Sequence, residues 1–467
     1  MLDRSLDETL RSREGHLFIE ETDAAHLAER FGTPLYVVSE TRLRTNARAY
    51  LAAFGEAWPH GEVHVLPSLK ANYSLAVARV LADEGLGCDV FGASEFAVAT
   101  RSGFPGGLVS LNGSIKDQGL IDAAVEAGVR ITLDGEPELG RALDAARRLG
   151  RSARIRLRGR PDYTGLDLPT DFLEEAVPMS EASRRYKAGL PTADLLEMGR
   201  IARTHAELEL TGLMVHLPRH RTELEVWRTA AERFADLVAA AVAAWDGWRP
   251  TELDVGGGLP SRCDPTGRLI GRIAAEDRAS PPSVDAYADA IAPALAARLW
   301  RHGVDPGGIA LEVEPGRGMF ADAGVHLTTV RNVKRESEPQ PWVWVETDTS
   351  EMFLLDSLVE HNRWRCVAAT KMGEPLGDPV DVVGRSCGFD LIAPDVRLPA
   401  LADGDLLAFL DTGAYQDASA TNFNAMPRPA TVLVRGDEAE LIKRAETVED
   451  VVGRDLVPER LRRGAVA

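Results

Sequence analysis

One lysine lies at a position where its primary amine could act as a nucleophile. Only six of the 53 basic residues are lysines, and Lys70 follows a short apolar run in the segment Pro67–Asn72. A lysine at the end of a buried strand can be a desolvated amine of lowered pKa that forms a Schiff base with an aldehyde. The alternative is a surface lysine whose aliphatic stem covers apolar residues. Taken alone, this residue leaves both interpretations open.

Other polar or glycine-rich segments also follow short apolar runs. Three consecutive glycines leave their backbone amides able to surround an anion, and an arginine beside them suits a phosphate. A buried carboxylate instead suits a protonated ring nitrogen. Each segment also has an ordinary structural explanation, such as a tight turn, a charge at a helix start or a surface ion pair. The segments are Asp89 with Glu95, Arg158, His216, Gly256-Gly257-Gly258, and Glu314-Pro315-Gly316-Arg317.

Together these segments describe one ligand. It needs an aldehyde to condense with Lys70, a phosphate for the glycines and a ring nitrogen for Glu314. Pyridoxal 5'-phosphate carries all three groups. We therefore predict a pyridoxal-phosphate site and no metal site.

Alternating strands and helices would position these side chains. Between residues 60 and 320, short β-rich runs alternate with stretches of helical spacing, and eight such units without a glycine-rich fingerprint after the first strand favour a closed barrel. Active sites of such barrels lie where strands end and loops begin. The predicted strands are Val63–Leu66, Gly87–Phe91, Leu108–Asn112, Arg130–Asp134, Arg154–Arg158, Thr211–Leu217, Glu252–Val255 and Ile309–Val313.

A second, mostly β domain is predicted over residues 321–467, where helical periodicity is thin. We expect a β-sandwich-like or barrel-like sheet there, with residues 36–320 forming the barrel and residues 1–35 packing as an N-terminal segment against the β domain. The predicted fold class is α/β, a (β/α)8 TIM-type barrel plus a mostly β C-terminal domain. Predicted elements outside the barrel are His16–Ile19, Ala24–Phe31, Leu327–Val330, Trp342–Val345, Val380–Val383, Asp405–Leu410 and Ala430–Val434.

Residues 159–191 form a long polar insertion after the fifth barrel strand. Loops of this length in a compact domain are usually functional or mobile. The sequence leaves open whether the insertion is a lid or a specificity loop.

Composition excludes several classes of protein. The formal net charge of −19 argues against broad binding to nucleic acid or to an anionic membrane. The longest apolar run, Leu237–Trp245, is about half of the ~20 residues that a spanning helix needs. The four cysteines are far apart and the charged N-terminal residues lack the apolar core of a secretory signal, so we expect a cytoplasmic protein without a disulfide framework.

The order of these motifs resembles one known family. It is the pyridoxal-phosphate-dependent decarboxylases built on the alanine-racemase-like barrel, which includes diaminopimelate, ornithine and arginine decarboxylases. The resemblance covers most of the chain, from about Thr33 to Ala430. Its most specific pieces are Lys70-Ala71-Asn72, Asp89 to Glu95, Gly256-Gly257-Gly258-Leu259, Glu314-Pro315-Gly316-Arg317 and Asp411-Thr412-Gly413-Ala414-Tyr415, followed by Asn422-Phe423-Asn424.

At the ring end of the cofactor, the resemblance implies roles for five residues. Lys70 would be the Schiff-base lysine, and His216 would stack on the ring. Glu314 would keep the pyridine nitrogen protonated, which makes the ring an electron sink. Asp89 and Arg158 would support the network around the lysine and the cofactor.

At the phosphate end, the resemblance assigns binding to Gly256, Gly257 and Gly258 together with Gly316 and Arg317. Tyr415 would hydrogen-bond the same phosphate.

A cysteine in the β domain of the family reaches the partner subunit's site, where it positions or protonates the substrate after carbon dioxide has left. Cys387 is the candidate here, which implies a homodimer with shared active sites. An ungapped alignment on Asp390 would instead put Ser386 at the cysteine position, and we prefer Cys387 because a thiol suits proton transfer.

The sequence departs from the family at positions that would contact the substrate and the phosphate. Pro218-Arg219 replaces a Gly-Ser pair whose serine contacts phosphate, so phosphate binding is rearranged or uses Arg219. Gly388 stands where an acidic residue commonly follows the cysteine. The segment that begins at Asp348 lacks the Arg-Pro…Tyr pattern of diaminopimelate enzymes. We infer an amino-acid decarboxylase whose substrate differs from diaminopimelate.

Two other functions remain compatible with the sequence. A racemase, or another enzyme on the same cofactor platform, would share the barrel and the cofactor-binding residues. A cofactor-free regulatory homologue would share only the fold, and the presence of Lys70, Glu314 and Arg317 argues against it. The cysteine loop and the order of the motifs favour decarboxylation of a small-molecule amino acid.

Overall fold

Two sheets organise the chain, an eight-stranded parallel sheet and a nine-stranded mixed sheet. The computed structural model describes residues 8–462 apart from 161, 167, 173–174, 265–280 and 363. Within those residues, no helix is both long and apolar enough to cross a membrane.

The N-terminal elements lie against the nine-stranded sheet. The predicted strand His16–Ile19 and the predicted helix Ala24–Phe31 are both present, and Asp23 caps that helix by accepting a hydrogen bond from the amide of Ala25. The elements of this part are β1 (Leu10–Arg13), β2 (His16–Ile19), β3 (Thr22–Asp23), α1 (Ala24–Phe31), β4 (Leu35–Ser39) and α2 (Glu40–Ala57).

All eight predicted barrel strands are present, so the predicted fold class is confirmed. The insertion after the fifth strand contributes a two-stranded hairpin and a helix of its own. The elements are β5 (Val63–Val65), α3 (Leu75–Asp83), β6 (Cys88–Val90), α4 (Ala93–Ser102), β7 (Val109–Leu111), α5 (Gln118–Ala127), β8 (Arg130–Leu133), α6 (Glu136–Leu149), β9 (Ala153–Arg158), β10 (Pro169–Phe172), β11 (Glu175–Pro178), α7 (Met179–Arg185), α8 (Thr192–Ala202), β12 (Leu208–Met214), α9 (Leu224–Ala244), β13 (Glu252–Asp254), α10 (Val284–Arg301) and β14 (Ala310–Val313).

The barrel closes through a short contact between β5 and β6. The sheet runs β5-β14-β13-β12-β9-β8-β7-β6, and its two end strands meet at a single bridge between Ser68 and Asp89. The amide of Leu69 donates to the carbonyl of Asp89 at 3.0 Å, and the amide of Asp89 donates to the carbonyl of Pro67 at 3.1 Å. The residues that close the barrel therefore immediately precede Lys70.

The interior of this barrel is charged, whereas barrels of this type usually fill their interior with branched apolar residues. Arg156 of β9 and Glu312 of β14 are both fully buried. Arg156 contacts Glu312 and lies 2.6 Å from the carboxylate of Asp254, and Arg130 contacts Glu312 from the other side at 2.7 Å. A buried ion is tolerated only when it is paired and hydrogen-bonded, so these ions depend on one another.

The remaining elements form the mostly β part. β4 lies within this sheet, antiparallel to β15 and parallel to β21, so a strand from the N-terminal part completes it. The limits of the domains stay a prediction. The elements are α11 (Arg317–Phe320), β15 (Gly324–Glu336), β16 (Trp342–Thr347), α12 (Asp356–Val359), β17 (Arg365–Ala368), β18 (Pro379–Val383), β19 (Leu391–Arg397), β20 (Leu406–Leu410), α13 (Gln416–Ser419), β21 (Ala430–Arg435), β22 (Glu438–Lys443) and α14 (Val448–Val452).

Replacing Arg156 by methionine should destabilise the barrel. Removal of one partner leaves buried carboxylates uncompensated, so we expect the Arg156→Met variant to lose about 3–5 kcal/mol of unfolding free energy in equilibrium urea unfolding. Arg154→Met is the matched control, because Arg154 lies on the same strand, is 32% exposed and has its ion partner Glu252 at 3.8 Å. Equal losses in the two variants would contradict the central role of Arg156.

Candidate active site

A cavity of about 370 Å³ opens where the barrel strands end, and most of the predicted site residues line it. The loop after β13 brings Gly258 to the cavity wall, and Gly256 and Gly257 precede it in the same loop. Tyr415 reaches the wall from the mostly β part. The predicted residues that line the cavity are Lys70, Asp89, Arg158, His216, Gly258, Glu314, Gly316, Arg317 and Tyr415.

The side chain of Lys70 faces the cavity, with 44% of it exposed. Its Nζ donates to the Ser68 hydroxyl at 2.6 Å and lies 3.6 Å from Asp89 Oδ2. Burial lowers the pKa of the Lys70 ammonium, but the negative charge of Asp89 outweighs it, so the pKa lies above its ordinary value. The predicted lowering of this pKa is wrong, because Asp89 reaches the lysine from another strand.

Asp89 and Glu314 are joined by the amide group of Asn112. Its Nδ2 donates to Asp89 Oδ1 and to Glu314 Oε1, at 2.6 Å in each case, and Ser68 also donates to Asp89. All four side chains are buried at the ends of neighbouring strands. The network fixes the distance between the lysine end and the Glu314 end of the site.

The surroundings of Glu314 favour the protonated form of its carboxyl group. Burial raises the pKa of Glu314 well above its usual range, and the neighbouring carboxylates of Asp254 and Asp89 raise it further, while Arg156 opposes them. Burial also raises the pKa of Asp254 to about 6, although Arg156 opposes this shift. A basic ring nitrogen beside Glu314 would relieve this crowding of carboxylates by sharing a proton with it.

His216 is a neutral imidazole whose tautomer is set by the backbone. Its Nδ1 lies 2.8 Å from the carbonyl oxygen of Leu217, which can only accept, so Nδ1 carries the hydrogen. Burial lowers the pKa of His216 to about 3, and the positive charge of Arg158 adds to the effect. A neutral, oriented ring on the cavity wall suits stacking on an aromatic ligand.

The opposite end of the cavity fits a phosphate. No described residue accepts a hydrogen bond from the amides of Gly257 and Gly258. Within the described residues, Arg317 Nε and Nη1 are likewise buried without a hydrogen-bond acceptor. The φ angle of Gly258 is +102°, and a Cβ at Gly316 would lie 2.7 Å from the Tyr415 hydroxyl, so both positions require glycine.

Arg317 is held rigidly at this end of the cavity. Its Nη2 donates to Asp356 at 2.8 Å, its Nε lies 3.4 Å from Asp264, and its guanidinium stacks on the ring of Tyr415 at 4.8 Å. Burial tends to lower the pKa of Arg317, but Asp264 and Asp356 raise it, so its charge is permanent. The negative charges of Asp264 and Asp356 thus already compensate the positive charge of Arg317.

Residues of the insertion form part of the cavity wall. Tyr163 and Met179 are buried there, while Tyr186 is 53% exposed at the mouth. Arg160 crosses the segment and donates to the carbonyl of Arg184 at 3.2 Å. The insertion therefore contributes an apolar wall.

Cys387 lies outside the cavity of its own chain. It is exposed in the loop between β18 and β19, its amide donates to Asn424 Oδ1 at 2.9 Å, and its sulfur accepts from Asn424 Nδ2 at 3.3 Å. The neighbouring Phe389 is 99% exposed. The chain alone does not bring Cys387 to Lys70.

Several residues that the sequence did not single out contribute to the site. Ser68 directly precedes the lysine segment and could have been noticed from its position. Asn112 ends a predicted strand, but an asparagine at a strand end does not by itself indicate that it joins two carboxylates. The acidic residues Asp356 and Glu360 line the wall four positions apart, and no spacing in the sequence indicates that they reach the barrel mouth.

The fold and the cavity define a barrel enzyme of the class that binds pyridoxal phosphate. Residues 42–321 match the family model for the pyridoxal-dependent decarboxylases, pyridoxal binding domain. The chain therefore belongs to the pyridoxal-dependent decarboxylase family. It is a pyridoxal-phosphate-dependent carboxy-lyase of an amino acid, as the sequence predicted.

Relatives and solved structures match along the whole chain. The diaminopimelate decarboxylase of Methanothermobacter thermautotrophicus is 31% identical over 450 residues, covering 96% of this chain and 97% of that protein. The diaminopimelate decarboxylase of Neisseria meningitidis serogroup A is also 31% identical, covering 94% and 99%. The crystal structure of the M. jannaschii diaminopimelate decarboxylase superposes with a TM-score of 0.84 at 27% identity, covering 97% and 99%.

Lys70 should be the residue that the cofactor modifies. Incubation with pyridoxal phosphate, reduction with borohydride and peptide mapping should place the modification on Lys70, because it is the lysine that faces the cavity. Lys70→Ala should abolish the labelling and the visible absorbance of the bound cofactor. Lys187→Ala, which changes an exposed lysine of the insertion, is the matched control and should leave both unchanged.

His216 should not titrate between pH 5 and 8. Because its pKa is about 3 in the folded chain and about 6.5 when unfolded, the unfolded state binds more protons in between. The contribution of His216 to the free energy of unfolding is therefore lost as pH falls from about 6.5 towards 3. In His216→Phe, the free energy of unfolding should fall less steeply over this pH range. Histidine ¹⁵N NMR, with His216→Phe for assignment, measures the titration directly, and a midpoint near 6.5 would contradict the prediction.

Proposed function

We propose that this enzyme decarboxylates an amino acid whose side chain ends in an ammonium or guanidinium group. The observation that carries the substrate class is the carboxylate of Glu360 on the wall of the Lys70 cavity. The relatives with the name diaminopimelate decarboxylase act on a substrate with a second carboxylate, which Glu360 would repel.

The residues at the base of the cavity would bind the ring of the cofactor. When bound, pyridoxal phosphate supplies an electron-poor ring that accepts the electron pair left when the carboxylate departs. Glu314 would hold the proton at the ring nitrogen, and the neutral His216 would pack against the ring face. Asp89, aligned by Asn112, would stabilise the charged form of Lys70 when its amine is released.

The amine of Lys70 has a high pKa in this structure, so it needs to lose a proton before it can attack an aldehyde. Ser68 lies between it and Asp89, with the Lys70 Nζ donating to Ser68 and Ser68 donating to Asp89. This chain of hydrogen bonds would take the proton from Nζ towards the carboxylate. The phosphate would meanwhile hold the cofactor at the glycine end, so that the aldehyde remains within reach.

The distal end of the substrate would reach Glu360. Its partner, Arg219, lies at 3.5 Å and is 62% exposed, so a substrate cation can replace that arginine without uncovering a buried charge. Asp356, by contrast, is tightly paired with Arg317 at 2.8 Å. We therefore propose that Glu360 binds the distal cation, whereas Asp356 serves the phosphate end through Arg317.

The apolar wall formed by the insertion would cover the methylene groups of such a substrate. Tyr163 and Met179 provide that surface. An apolar cover also excludes water from the substrate carbon that loses carbon dioxide. Water then cannot protonate that carbon. We propose that the insertion is a substrate cover in addition to a structural wall.

We also propose a homodimer in which Cys387 completes the site of the partner subunit. Cys387 is exposed and the neighbouring Phe389 is 99% exposed, so this loop is accessible to a second copy of the chain. A thiol suits proton transfer better than a serine hydroxyl, so Cys387 rather than Ser386 is the candidate for donating a proton to the substrate carbon.

A cytoplasmic location fits the thiols of this chain. All four cysteines are free, and Cys88, Cys263 and Cys366 are buried. Free thiols persist in reducing compartments. We propose the cytoplasm on this ground.

A panel of amino acids tests the substrate class. Carbon dioxide release should be faster from lysine, ornithine or arginine than from norleucine, which has the length of lysine without its charge, and faster than from diaminopimelate. Glu360→Gln should raise KM for the basic substrate about 10-fold or more with a smaller change in kcat, because a charge-assisted hydrogen bond is lost. Racemisation without gas would contradict decarboxylation, and preference for diaminopimelate would contradict the proposed substrate.

Mixing two inactive variants tests the shared site. Lys70→Ala and Cys387→Ala should each be inactive or nearly so, while a refolded equal mixture should recover about a quarter of wild-type activity, because half of the dimers then hold one intact site. Ser386→Ala, which changes the neighbouring side chain, should stay active and should complement nothing. No recovery from a mixture that contains mixed dimers would exclude Cys387 as a residue of the partner's site.

A further inference from the structure

A histidine next to the glycine loop is placed to bind the phosphate. We propose that His220 donates a hydrogen bond from Nε2 to the phosphate of the cofactor, and that Asp264 acts as its positioning residue. The inference rests on pyridoxal phosphate as the cofactor, but it does not depend on the proposed substrate. It assigns the phosphate contact to His220 rather than to Arg219, which the sequence had suggested.

The backbone fixes His220 against the glycine loop. The amide of His220 donates to the carbonyl of Gly258 at 2.8 Å, and its φ angle is +59°, a conformation that residues with side chains rarely adopt. The side chain is 10% exposed and lines the cavity together with Gly258, Gly316 and Arg317. A rare backbone angle that is stabilised by the phosphate loop itself points to a functional placement of this ring.

Asp264 orients the imidazole. Its Oδ1 lies 3.0 Å from His220 Nδ1, and its Oδ2 accepts from the amide of Ser261 at 2.7 Å, so the fully buried carboxylate is itself fixed. A carboxylate on Nδ1 keeps a hydrogen on that atom and favours the doubly protonated ring. Nε2 lies on the other side of the ring, and as a donor it matches a phosphate oxygen.

The contacts of Arg317 leave room for a further cation at this end of the cavity. Arg317 contacts both Asp264 and Asp356, so its positive charge is already shared by two carboxylates before any phosphate arrives. A phosphate ester adds about 1.5 to 2 further negative charges near neutral pH. The amides of Gly257 and Gly258 offer only partial charges, so a protonated His220 would supply the balancing charge.

Arg219 is poorly placed for this role. Its side chain is 62% exposed and extends to Glu360 at 3.5 Å, on the rim of the cavity. Its neighbour Pro218 lacks an amide hydrogen and cannot donate. The backbones of all three residues lie close to the loop, but His220 has the side chain that is nearly buried and is held by Asp264.

Comparison of pyridoxal phosphate with pyridoxal isolates the phosphate contact. Cofactor-stripped protein is titrated with each compound, and the dissociation constants are read from the absorbance of the bound form. His220→Asn is the test variant, because asparagine tolerates a positive φ and is too short to replace the imidazole. Arg219→Gln is the matched control from the same loop, and binding of pyridoxal reports that the variant is folded.

We expect His220→Asn to weaken pyridoxal phosphate about 10-fold or more, as for the loss of a charge-assisted hydrogen bond, and to change pyridoxal affinity less than twofold. Asp264→Asn should produce a smaller loss of the same selectivity, and Arg219→Gln should change neither compound. Equal weakening of both compounds by His220→Asn, an unchanged phosphate preference, or a selective loss in Arg219→Gln would overturn the proposal. A wild-type chain that binds pyridoxal phosphate tightly but decarboxylates none of the panel would overturn the proposed substrate and leave this inference standing.

Discussion

The guanidinium of Arg156 at the centre of the barrel is the contact on which the rest of the site depends. It neutralises Glu312 and Asp254, and its Nη2 also approaches Glu314 at 3.3 Å. Without that charge, three carboxylates from β13, β14 and the loop after β14 would face one another in a space without water. The barrel can therefore present an acid at the base of the cavity only because an arginine from β9 lies beneath it.

The two ends of the cavity differ in their electrostatic environment. At the base, burial and crowded carboxylates favour the protonated form of Glu314. At the other end, the amides of Gly257 and Gly258 and two buried nitrogens of Arg317 have no hydrogen-bond acceptor among the described residues. A ligand with a basic nitrogen at one end and a phosphate at the other would satisfy both ends at once. The two ends would therefore orient pyridoxal phosphate in one direction.

Much of the fold was predictable because the barrel strands alternate regularly with helices and end in turn residues. The strand Leu35–Ser39 was not recognised, since its partners β15 and β21 lie about 300 and 400 residues away and no local pattern reports such pairing. The site residues at strand ends were predictable by type and position. The upward pKa shift of Lys70 was not, because it depends on Asp89 and thus on a distance that only the folded chain defines.

The closure of the barrel has a consequence for the reactive amine. Seven neighbouring strand pairs are joined by ladders, whereas the seam beside Lys70 is closed by the amides of Gly87, Asp89 and Leu69, which donate to the carbonyls of Val65, Pro67 and Asp89. Lys70 follows Leu69 directly. The backbone that closes the barrel therefore also sets how far the amine of Lys70 lies from the carboxylate of Asp89.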